Sequence, residues 1–122
     1  MKKRGAFENM KPIIIENSKI PAILSYVSPI NIHAIALFPF VFCRHTIDER
    51  VRTHETIHFQ QQLETGVIFF YLIYLWDYLA SKLKGLSGFE AYRAIRAERE
   101  AYDNQDDPDY LNKRKRWKWI SE

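Results

Sequence analysis

His54 and His58 stand four residues apart with Glu55 between them, in the run His54-Glu55-Thr56-Ile57-His58. On an α-helix, residues four apart share a face, so the two imidazoles can address one metal ion. Glu55 projects beside that ion, where it can take a proton from a bound water. Two His ligands, a third protein ligand and an open water position make a catalytic tetrahedral zinc site. Zinc brings the pKa of such a water to ~7, and the carboxylate accepts its proton as it attacks a carbonyl. The implied cofactor is one Zn²⁺, the implied partner a peptide or protein substrate.

These residues need a helix to hold them. Thr46-Ile47-Asp48-Glu49 reads as a capping box, so a helix is expected to begin near Ile47 and run over residues 46–84. Gly66 can bend it, and Gly85 can close it behind Lys82 and Lys84. Ser87-Gly88-Phe89-Glu90 repeats the capping signature and predicts a second helix over 87–104. Asp107-Pro108 then starts a short basic helix over 108–120, ending in Trp117 and Trp119. Ahead of the metal helix, residues 13–45 are β-rich. Ile13-Ile14-Ile15 is a short strand, Pro21 restricts its surroundings to an edge or loop, and residues 30–37 with 40–44 form a hairpin or two adjacent strands. Residues 1–12 form a loose basic arm. The fold class is α+β: a mainly helical single domain, 1–122, with a small N-terminal sheet.

A third ligand must come from another element. His33, His45, Glu64, Glu90, Glu98, Glu100 and Asp103 are the candidates. Ala91, Ala94, Ile95, Ala101 and Tyr102 recur at three- and four-residue steps, marking one buried stripe with Glu98 in its middle. Glu100 is turned about 200° away, among Arg93, Arg96 and Arg99. A carboxylate on a buried face is costly unless it is paired or binds metal. Glu98 is therefore the expected ligand, its bland alternative being a salt bridge to Arg50 or Arg52. His45 sits just before the helix cap and is a poor candidate. Gln61, His33 and Tyr102 are candidates for bonding a ligand or the substrate. For Gln61 the alternative is a solvated polar face, and for His33 a satisfied half-buried histidine.

With His54, Glu55, His58 and Glu98 assigned, the chain resembles the Glu-ligand zincin metallopeptidases. In those families an HExxH helix is followed by a helix bearing a Glu in an ExxA-type motif, here Glu98-Arg99-Glu100-Ala101. It is also similar to small bacterial proteins with HExxH, a nearby Gln and a later EREAY segment, here Gln61 and residues 98–102. The resemblance implies metal ligation by His54, His58 and Glu98, with Glu55 as general base. It also implies an edge strand above the metal helix that holds extended substrate, for which residues 30–44 are the candidate.

Composition narrows the alternatives. A chain of 122 residues that is 47% hydrophobic folds as one modest domain. A net charge of +3 gives no field for nucleic acid, and none is expected as a partner. The single Cys43 fits a reducing compartment, so a cytoplasmic location is expected, with Cys43 a small core residue. The apolar run Val67–Ala80 is too short to span a bilayer and reads as a buried core helix. Its aromatic density, with the basic Trp-rich tail, keeps a peripheral membrane contact in view. A metal-binding zincin-like module without chemistry is the remaining alternative.

Overall fold

The computed structural model describes residues 10–28 and 30–121. Residues 1–9 of the expected basic arm lie outside the described residues. The architecture is α+β: three short strands and six α-helices are described, followed by one 3₁₀ turn. Strand β1 (Ile13–Ile15) is followed by helix α1 (Ile20–Ser25), and β2 (Ala34–Leu37) and β3 (Phe40–Cys43) form the hairpin. The sheet order is β1-β3-β2, with β1 parallel and β2 antiparallel to β3. Helix α1 departs from the expected loop: Pro21 occupies its first turn, where its missing N–H costs nothing.

Helix α2 (Glu49–Thr65) carries the HExxH run. Its cap is Asp48, whose carboxylate accepts from the Val51 amide, and not Thr46. The expected single helix over 46–84 is two. Gly66, at φ 76°, closes α2 in a left-handed conformation that glycine takes without strain, and Val67 follows at φ 66°. Helix α3 (Ile68–Leu83) then leaves at 112° to α2. The second expected helix is also divided. The Ser87–Glu90 capping box opens α4 (Gly88–Ala94), Ile95 is extended, and α5 (Arg96–Asn104) follows.

The C-terminal stretch is helical only over α6 (Tyr110–Lys113), with the 3₁₀ turn at Lys118–Ser121. Its basic residues Lys113, Lys115, Arg116 and Lys118 are solvated, but its end is anchored in the core. Trp119 is fully buried against Phe70, Ile95 and Ala97 in the core that joins α3, α4 and α5. Trp117 stays half-exposed. Val67–Ala80 also departs from expectation, because Phe70 is the one fully buried side chain of α3. Cys43 is fully buried, and burial first, then Glu55, pushes its thiol up to about 11, which leaves it inert.

Candidate metal centre

Helices α2 and α5 pack side by side and bring His54, His58 and Glu98 together. Glu98 Oε1 lies 3.1 Å from His54 Nε2 and 3.1 Å from His58 Nε2, and the two Nε2 atoms are 3.2 Å apart. All three side chains are nearly closed to solvent. Among the described residues this is the one group of three such side chains with converging ligand atoms. Zinc bonds of ~2.0–2.2 Å in a tetrahedral site put ligand atoms ~3.3 Å apart. The triangle here, at 3.1, 3.1 and 3.2 Å, is slightly tighter than that edge, so the three groups could hold a metal ion with a small outward shift. Neither Arg50 nor Arg52 reaches Glu98: Arg50 pairs with Asp106 and Arg52 with Glu49.

The orientation of His58 is set by its neighbour. The Gln61 amide nitrogen donates to Ala97 O at 3.1 Å and to Glu100 Oε1 at 2.8 Å, which uses both its hydrogens. Its oxygen therefore faces His58 Nδ1, 2.8 Å away, and must accept from it. His58 thus carries a proton on Nδ1, and its Nε2 faces the Glu98 carboxylate. Between those two acceptors a cation is required, either a second proton or a metal. Burial lowers the His58 pKa, but the Glu98 charge and hydrogen bond outweigh it and push it up to about 9. Glu98 moves the opposite way. Burial raises it, yet His58 and His54 hold it far below the usual carboxylate range.

His54 is set by Gln105, which lies 2.7 Å from its Nδ1. With the amide oxygen turned there, Nδ1 carries the proton and the Nε2 lone pair is free for an ion. The amide nitrogen is then set against the Arg50 guanidinium, which also donates. With the amide turned over, its nitrogen donates to Nδ1, its oxygen accepts from Arg50 and the proton moves to Nε2. Gln105 and the His54 tautomer are therefore coupled. The Tyr102 ring packs edge-on against His54, with centroids 4.6 Å apart, and its hydroxyl is bonded to that of Tyr92. Glu55 and His54 line a cavity of about 330 Å³, whose wall also includes residues 30–34, His33 among them. Burial raises the Glu55 pKa, the two imidazoles pull it back, and Glu98 adds to the rise. His33 is exposed on that wall, not half-buried, while His45 is exposed away from the triad.

Sequence reasoning missed two participants. The Tyr74 hydroxyl donates to Glu98 Oε2 at 2.6 Å, leaving Oε1 for the imidazoles. Burial, then the Glu98 charge, keeps the phenol protonated. No sequence spacing connects Tyr74 to Glu98, since the pair depends on how α3 crosses α5. Replacing Tyr74 by Phe is expected to weaken zinc affinity by roughly 10–100-fold with little change in fold, measured by competition with a chelator. The second is Glu100, which the arginines around it had marked as outward-facing. It is buried, bonded to Gln61, Tyr110 and Arg114. Arg114 also holds Glu64 through two hydrogen bonds of 2.7 and 2.8 Å. Gln60, Gln61 and Gln62 are all buried, so this part of α2 is no solvated face.

The cavity runs along the free edge of the sheet. Arg44 N donates to His33 O, so in the alternating ladder His33, Ile35 and Leu37 face β3, and Ala34 and Ala36 face outward. Ala36 O is taken by Gln62 and Tyr71. The Ala34 end lies along the cavity lined by His54 and Glu55. No protein family, curated protein or solved structure that was compared with the chain matches it.

Proposed function

We propose that this chain is a zinc-dependent hydrolase of the metallopeptidase type, acting on a peptide or amide carbonyl. The observation that carries the reading is the triangle of His54 Nε2, His58 Nε2 and Glu98 Oε1, with His58 oriented by Gln61. When bound there, zinc supplies Lewis acidity and lowers the pKa of water to ~7. The remaining work falls to the chain. Glu55, which lines the cavity, would take the proton of the attacking water and return it to the leaving nitrogen. Tyr74 and Gln61 keep the ligands aimed. The outward edge of β2 at Ala34 would pair with an extended substrate backbone along the cavity.

Elemental analysis of the purified chain is expected to find about one zinc per chain, removable by chelator and restored on reconstitution. A chain that takes up no zinc under any loading condition would end the proposal. The zinc-loaded chain should cleave members of a broad peptide library. If it holds the ion and cleaves none, it is a metal-binding module without hydrolysis.

A further inference from the structure

Helix α3 is built inside out. At 100° per residue, Ile68, Phe69, Leu72, Leu75, Trp76, Leu79 and Leu83 fall within about 120° of arc. All of them are exposed, Leu79 least at 46% and Leu83 most at 87%. Two polar groups of the same helix turn inward. Tyr74 donates to Glu98, and Asp77, the helix's only acid, receives two side-chain bonds from Arg96 at 2.9 Å. An ordinary surface helix buries its apolar stripe and exposes its charges. Here the exposed arc carries no acid at all. Exposed Lys82 and Lys84 flank its C-terminal end.

The face is also extended by its neighbours. Ile23, Tyr26 and Val27 at the end of α1 are exposed, at 60, 90 and 86%. The segment directly after them, Ser28 and Ile30, lines an apolar cavity together with Leu75 and Tyr78 of α3. Exposed apolar surface of this extent, contiguous along one helix, marks an interaction site. The charge pattern selects its occupant. A second copy of the chain presents the same arc, which has no carboxylate to pair with Lys82 and Lys84. Anionic lipid headgroups above an apolar acyl layer match both features. Among the described residues no single helix is long and apolar enough to cross a bilayer, and α2 and α3 pass that test only together, as a pair bent by 112°.

We propose that the outer face of α3, with the end of α1 beside it, docks the protein in the plane of an anionic lipid membrane. Leucines and Trp76 enter the acyl boundary, while Lys82 and Lys84 meet headgroup phosphates. The apolar cavity between α3 and Ser28, Ile30, Ile32 and Ile35 then opens at the bilayer surface. Docking is independent of the zinc reading, because no ligand of the triad takes part in it.

The test is flotation of the full chain with vesicles of phosphatidylcholine alone and of phosphatidylcholine with phosphatidylglycerol. The chain should float with the anionic vesicles, and equally well after chelator treatment. Replacing both Leu72 and Leu79 by Glu should lower the partition coefficient by at least about tenfold. Because both are exposed, melting temperature and zinc content should not move. Replacing Lys82 and Lys84 by Glu should weaken binding to the anionic vesicles selectively. The proposal is overturned if the wild-type chain floats with neither vesicle, or if Leu72→Glu/Leu79→Glu floats as the wild type does. It is equally overturned if lipid-free chain forms a dimer by sedimentation that this double variant abolishes, for the face is then a self-interface.

Discussion

The Glu55→Gln variant is expected to hold zinc as tightly as the wild type and to lose nearly all turnover. Glu55 is not one of the three converging groups, so the amide leaves His54, His58 and Glu98 in place. It keeps the size of the carboxylate in a nearly closed position and removes its ability to accept a proton. General-base assistance is worth ~10²–10⁴ in rate, and the loss should appear in kcat/KM with little change in melting temperature. His54→Ala is the informative companion. It removes a ligand and should lose the ion, and with it the stability that bound zinc adds to the folded state. Zinc content, melting temperature and peptide cleavage measured on all three proteins separate the roles. Full activity in Glu55→Gln would place the chemistry elsewhere.

Replacing Arg114 by Met is expected to be the most destabilising single change on the C-terminal segment. The guanidinium is 3% exposed and lies between Glu64 and Glu100, which are 1% and 5% exposed. Without it, two carboxylates from α2 and α5 face each other in the interior with no cation to neutralise them. Breaking a buried pair in this way costs ~3–5 kcal/mol, which lowers the melting temperature on the order of 10–20 °C in a domain of this size. Lys115→Ala, on an exposed neighbour, should change it little. The same loss reaches the candidate metal centre. Arg114 holds Glu100, Glu100 accepts from Gln61, and Gln61 accepts from His58. Deleting residues 113–122 should for this reason unfold the chain or lower its zinc affinity. A truncated protein with unchanged melting and zinc binding would show that this network contributes nothing.

The residues that could do chemistry were legible because their relation is local. Four-residue spacing on one helix places His54 beside His58 whatever the rest of the chain does. Glu98 was legible from a stripe of alanines and an isoleucine, although the break at Ile95 means that the stripe belongs to two helices. The hairpin was legible from β-branched runs around Pro39, and the Ser87 cap from its own motif. Each of these depends on neighbours within a few residues.

The features that the sequence alone did not determine depend on which elements meet. Glu100 reads as solvated beside Arg93, Arg96 and Arg99, but its cation is Arg114, carried in by the C-terminal segment. Tyr74 becomes a support for Glu98 only because α3 turns through 112° at Gly66 and Val67. The same turn decides the fate of the run Val67–Ala80. Its hydropathy predicts burial, yet its Tyr74 hydroxyl and its one acid find partners inside, on Glu98 and Arg96, and this rotates the leucines outward. A buried polar group without a partner costs more than an exposed leucine, so the satisfied hydrogen bonds set the rotation of the helix. Periodicity identifies a stripe; the partners that meet it in space decide which side of the helix is the inside.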